Sequence, residues 1–103
     1  MKCLFKDHNV TLENCDTTVM EALCAAASVW KRYGVRYLTI ASASEPAHPD
    51  TSPHFLGYAV NLLSRSLPNV FAMADDLRQL LDDDFDVLVN ADHIHIEYNP
   101  RKP

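Results

Sequence analysis

The sequence lacks any apolar run near the roughly 18–20 residues that a bilayer-crossing helix needs, which excludes such a helix. It is also poor in cysteine. Cys3, Cys15 and Cys24 are odd in number and share no metal-type spacing, so they read as reduced, partly buried thiols. Basic residues are scarce: 9 Lys and Arg face 14 Asp and Glu, for a formal charge of −5. That balance speaks against a nucleic-acid binder, which normally shows a basic stripe with interleaved aromatics. There is no internal repeat and no low-complexity tract. The segment from Met1 to His8 turns polar after two apolar residues, unlike a secretory signal. The expectation is a protein kept in the cytoplasm of the producing cell, with no membrane partner; release or association with a virion would need other machinery. Asn9-Val10-Thr11 fits the glycosylation triplet, which has no meaning in that setting.

The residues that are present fit one globular domain. The chain has 103 residues, 48% of them apolar, enough for one hydrophobic core and too apolar for wholesale disorder. A single domain over 1–103 is expected, with a frayed tail from 99 to 103, acting as a monomer. The first dozen residues read as a short strand and a loop. Thr18 and Glu21 match a capping box, and Asp16 offers a second N-cap. Val19, Leu23, Ala26 or Ala27, and Trp30 recur at helical spacing, and Gly34 suits the position just past a helix end. A helix over 17–33 is predicted, then a strand over 35–40.

Residues 42–53 hold three prolines among small polar residues and read as a long loop. A strand comes next over 57–63, with Val60 and Leu62 on one face and Gly57, Ala59 and Asn61 on the other. Pro68 suits the first turn of a second helix whose stripe is Val70, Met73 or Ala74, Leu77, and Leu80 or Leu81. Asp82-Asp83-Asp84 reads as a solvated turn. Strands over 85–89 and 94–98 are joined by a tight turn at Asn90-Ala91-Asp92. Trp30, Tyr58 and Tyr98 read as core or core-edge aromatics. The order predicts an α+β fold: two helices on one face of a largely antiparallel sheet.

The chemistry-bearing residues fall in two places. In the last strand, Ile94 and Ile96 point one way, and His93, His95 and Glu97 the other. Glu97 reads as a cross-strand partner. Earlier, Ser52-Pro53-His54 precedes Gly57, Ala59 and Asn61, whose small neighbours leave room on one face. His54 and His95 are candidate imidazole ligands for zinc, which takes about four ligands from His, Cys and carboxylate. Asp92, three residues before His95, is a candidate general base.

Ser52-x-His54-x-x-Gly57-x-Ala59-x-Asn61 resembles the S-x-H-x-x-G-x-A-x-D motif of the D-alanyl-D-alanine carboxypeptidase and L,D-endopeptidase metallopeptidases. These share a fold with the hedgehog signalling domain. Asp92-His93-Ile94-His95 is similar to the second motif, an acid three residues before a zinc His, and the stretch 84–98 resembles the ending of small bacteriophage members. The resemblance covers residues 10 to 100. It implies a hedgehog/DD-peptidase-like fold and zinc held by His54, His95 and position 61. Asp92 would be the general base, and Ser52, His48 and His93 would contact substrate. The implied activity is hydrolysis of amide bonds in peptidoglycan peptides that contain D-amino acids, as an endolysin-like cell-wall enzyme would perform. Three positions depart from the pattern: Asn61 stands where the family has Asp, Ala43 where phage members have Gly, and Leu63 where they have Arg. A neutral amide attracts a cation less than a carboxylate does. The alternative is a catalytically degenerate member serving as a peptide-binding, virion or host-interaction module. The geometric expectation is that His54 and His95 come within about 3–3.5 Å of each other, as one shared zinc ion requires.

Overall fold

Asp16, not the predicted capping box, starts the first helix. Its Oδ1 accepts from the Thr18 amide at 3.0 Å and from the Thr18 hydroxyl at 2.9 Å, so Thr18 lies inside the helix. The structure, a computed structural model, describes residues 2–12, 16–43 and 59–99. Helix α1 runs over Thr17–Arg32 and buries Val19, Ala22, Leu23, Ala26, Val29 and Trp30. It closes as the glycine predicts. Gly34 takes φ +78°, its N–H donates to Lys31 O at 3.0 Å, and the Val35 N–H donates to Trp30 O at 2.9 Å. This is the paired Schellman closure. It also explains a shift in the next strand. The Val35 N–H is spent on closing α1, so β2 spans Tyr37–Ser42 instead of the predicted 35–40.

The remaining elements are β1 (Lys2–Phe5), β3 (Ala59–Leu63), α2 (Val70–Leu80), β4 (Phe85–Val89) and β5 (His93–Tyr98). Pro68 stands just outside α2 instead of in its first turn. Asn69 is the N-cap, its Oδ1 accepting from the Ala72 amide at 3.2 Å. Met73, Ala74 and Leu77 form the buried stripe, while Leu80 and Phe71 are exposed. The three aspartates 82–84 then make a turn, with Asp82 Oδ1 accepting from the Asp84 amide at 2.9 Å. Residues 44–58 and 100–103 lie outside the described residues, and with them the predicted proline-rich loop, Gly57, Tyr58 and most of the tail.

The five strands form one mixed sheet in the order β1-β2-β3-β5-β4. Among the described residues only the β1–β2 pair is parallel, because α1 carries the chain back across the sheet between them. The other three pairs are antiparallel. The domain is thus α+β, as predicted. Strand alternation sends Leu38, Ile40, Val60, Leu62, Val87, Ile94 and Ile96 into the core that both helices cover. Trp30, 1% exposed, is the largest side chain in it. Arg78 ties α2 to the edge strand β4 with two N–H bonds to Val87 O, at 3.2 and 2.6 Å. Covering that carbonyl blunts an edge that would otherwise invite pairing. Tyr98 sits at the core margin against Phe85, ring centroids 5.1 Å apart. Two of the cysteines correct the sequence reading: Cys3 and Cys24 are exposed free thiols, not partly buried ones, and Cys15 lies outside the described residues. Among the described residues no helix is long and apolar enough to cross a membrane.

Candidate functional site

The helix-free face of the sheet carries the polar row. Ladder register sets Asn61 opposite His95, Leu63 opposite His93 and Ala59 opposite Glu97 across β3 and β5. Facing residues on one side of an antiparallel pair have Cβ atoms about 4.5–5.5 Å apart, close enough for their side chains to meet. Asn61 Oδ1 lies 2.7 Å from His95 Nδ1, and His95 Nε2 lies 3.0 Å from Glu97 Oε1. On its other side, Asn61 Nδ2 donates to Ser42 Oγ at 2.8 Å.

Ser42 reaches Asn61 through an irregularity in β2. The pairing runs Ile40 to Leu62 and then Ser42 to Asn61, so β2 spends one extra residue at Ala41. Such a bulge turns a side chain that simple alternation would send elsewhere. The result is a continuous chain, Ser42–Asn61–His95–Glu97, across three neighbouring strands. The His95 and Glu97 side chains are only 17% and 23% exposed, so their contact is shielded from solvent competition.

Protonation decides what this chain can do. Both neighbours of the His95 ring present acceptor oxygens. The ring satisfies them together only as imidazolium, with Glu97 as counter-charge. The neutral ring donates to one and turns a lone pair toward the other, which is the form a metal requires.

The other predicted residues divide clearly. Asp92 and His93 come together, but with each other instead of with His95. His93 Nδ1 lies 2.8 Å from Asp92 Oδ1, and the Asn90 side-chain amide donates to His93 Nε2 at 2.9 Å. The neutral His93 ring therefore carries its proton on Nδ1. Arg65 stands 3.8 Å from the other Asp92 oxygen. The hydrogen bond from His93, reinforced by the charge of Arg65, holds the Asp92 carboxyl below the usual carboxylate range. Asp92 is half-exposed and makes no hydrogen bond to Asn61, His95 or Glu97. His48, Ser52 and His54 lie outside the described residues, and so does the expected approach of His54 to His95. Among the described residues no group of three His, Cys, Asp or Glu side chains is placed to hold a metal ion.

Of the three departures from the family pattern, Ala43 is fully buried in the core cluster, where its methyl group fills space. Leu63 is half-buried beside His93. Sequence reasoning underrated Glu97 and missed Ser42. Alternation along β5 already put Glu97 on the face of His95, whereas nothing in the sequence marks the bulge that brings Ser42 in. Compared with known proteins, the chain matches no protein-family model and no curated protein.

Proposed function

We propose that this chain is a zinc-dependent peptidase-like protein. It acts on amide bonds of peptidoglycan-type peptides containing D-amino acids, has a hedgehog/DD-peptidase-like fold and is encoded by a phage or prophage. The observation that carries the reading is the 2.7 Å approach of Asn61 Oδ1 to His95 Nδ1. Those are two of the three positions that the motif resemblance assigns to the metal, and they meet on adjacent strands. His54, Asn61 and His95 would hold the ion. Bound zinc would polarise the substrate carbonyl and acidify water.

The chain's own groups supply the rest. Glu97 fixes the His95 ring through Nε2, the outer partner that metal-bound imidazoles usually have. Asn61 is fixed by Ser42 on its far side. Asp92 stays ionised at neutral pH because His93 and Arg65 favour its charged form.

The test is elemental analysis of protein purified without chelator, then peptide release from cell-wall substrate. One zinc per chain and turnover, both lost in His95→Ala, are the expected results. Absence of zinc at micromolar supply together with absence of turnover would refute the reading.

One observation favours a second reading. The chain Ser42–Asn61–His95–Glu97 satisfies its members mutually, with a neutral amide at the ligand position. On that reading the fold is kept as a peptide-binding, virion or host-interaction module without catalysis. Gain of zinc and activity in Asn61→Asp, from an inactive parent, would select it.

A further inference from the structure

Two surface grooves, of about 620 and 530 Å³, share Gly34, Val35, Arg36 and Tyr37. Neither is lined by Asn61, His95 or Glu97; the second reaches Arg65, the ion-pair partner of Asp92, whereas the first, around Lys2, Lys31 and Arg36, holds no residue of the proposed peptidase site. Their charge is unlike that of the molecule. The protein carries 14 acidic and 9 basic residues, yet no described carboxylate lines either groove, while Lys2, Lys31, Arg36 and Arg65 do. We propose that this basic cleft binds a small polyanion bearing two or more adjacent phosphate or carboxylate groups.

Three separate segments supply the cations. Lys2 opens β1, Lys31 lies in the last turn of α1, and Arg36 leads into β2. The parallel ladder holds them together, with Lys2 paired to Tyr37 and its N–H donating to Arg36 O at 3.3 Å. None of these three side chains forms an ion pair with a described residue, whereas the adjacent Arg32 is matched by Asp76 at 3.4 Å. Lys31 has a local reason to sit at the negative end of a helix, but Lys2 and Arg36 have none. Gathering like charges costs free energy, and a bound anion offsets that cost. Gly34 leaves the floor open: a Cβ there would meet nothing within 4 Å. Tyr37, 52% exposed, offers a flat wall beside the cations. A long polyanion would run past the cleft into the field of a chain with net charge −5, which limits the ligand to a short one.

The test is an amide chemical-shift titration of the intact chain at low salt, with tripolyphosphate and, separately, citrate. Saturable shifts centred on residues 34–37 are expected with at least one of them. Saturation by tripolyphosphate alone identifies a phosphate ligand, by citrate alone a carboxylate ligand, and by both a site that reads charge spacing. Lys31→Glu combined with Arg36→Glu should weaken binding by about tenfold or more. Lys6→Glu, an exposed charge outside both grooves, should change it less than about twofold. Circular dichroism confirms that each variant is folded. Three results would overturn the proposal: no saturation by either anion up to about 10 mM, unchanged binding in the double variant, or an equal loss in Lys6→Glu.

Discussion

Asn61→Asp exchanges an amide for a carboxylate at the point where β3 and β5 face each other. Asn61 Oδ1 and His95 Nδ1 are 2.7 Å apart, and an ion about 2.1 Å from each, tetrahedrally placed, wants them about 3.4 Å apart, so the side chains must part by about 0.7 Å. Rotation about one side-chain bond supplies that without moving the ladder. The added charge then dominates. A unit charge about 2.1 Å from a dication is worth about 4 kcal/mol even at the dielectric constant of water, and desolvating the carboxylate returns about half. A net gain of about 2 kcal/mol is about 30-fold in zinc affinity. The assay is competition against a colorimetric zinc chelator at neutral pH, with His95→Ala as the blank. The fold should tolerate the change, because the Ser42 hydroxyl can turn from accepting to donating. Urea unfolding should therefore move by less than about 1 kcal/mol. A gain under about threefold with stability intact would refute the idea that positions 61 and 95 share an ion.

Packing and the titrating groups set three further outcomes. Trp30→Ala removes the largest fully buried side chain and should cost about 3–5 kcal/mol, lowering the melting temperature by more than about 10 °C in a calorimetric scan. The Asp92 carboxyl is held low by its hydrogen bond from His93, so its contribution is present above the usual carboxylate range and is lost as pH falls through its lowered value. Urea titrations of wild type and Asp92→Asn should differ near neutral pH and converge in acid. The Tyr33 hydroxyl donates to Asp76 Oδ2 at 2.7 Å and its ionisation is pushed up chiefly by that bond, so its contribution is present below the ordinary tyrosine range and is lost as pH rises through the raised value. The phenolate absorbance that disappears in Tyr33→Phe should titrate earlier once Asp76→Asn is introduced.

The elements that local chemistry determines were legible from the residues. Trp30 and Val29 recur at helical spacing, Gly34 has the only backbone freedom that a left-handed closure needs there, and Ile94 and Ile96 alternate with polar neighbours. Both helices and all five strands were found in this way. Two local signals competed at two places, the start of α1, where the sequence left both caps open, and the start of β2, where the prediction failed. Thr18 and Asp16 both offered an oxygen to the first turn of α1, and the aspartate one residue before the helix won. Val35 looked like a strand residue by side chain, but its N–H was already owed to Trp30 O. β-propensity counts side chains, while the ladder needs a backbone donor that is still available.

The candidate site was legible in its pairs and not in its links. The spacing of polar residues in β5 put His95 and Glu97 on one face, and the motif at 52–61 singled out Asn61. Their meeting depends on ladder register, a property of how two strands slide past each other. A slip of one residue would have turned Asn61 into the core. The buried rows at Val60–Leu62 and Ile94–Ile96 forbid that slip, so the hydrophobic pattern of the opposite face is what fixes the polar chemistry. Asp92 shows the converse. Its distance from His95 in sequence matched the family's acid, and the Ser64 N–H holds its backbone carbonyl at 3.0 Å, yet its side chain turns to the neighbouring imidazole of His93 and toward Arg65 instead of to His95. Within this fold, ladder register assigns a strand residue the neighbour across from it, and a side chain at the turn is claimed by the residues beside it. Hence Glu97, inside the ladder and bonded to the ring, has the stronger physical claim to set the orientation of His95. Glu97→Gln tests that claim: the amide can still donate to or accept from Nε2 but supplies no counter-charge, so the variant should keep its fold and lose about tenfold or more in zinc affinity, as outer partners of metal-bound imidazoles do. An unchanged affinity would assign Glu97 to the sheet alone.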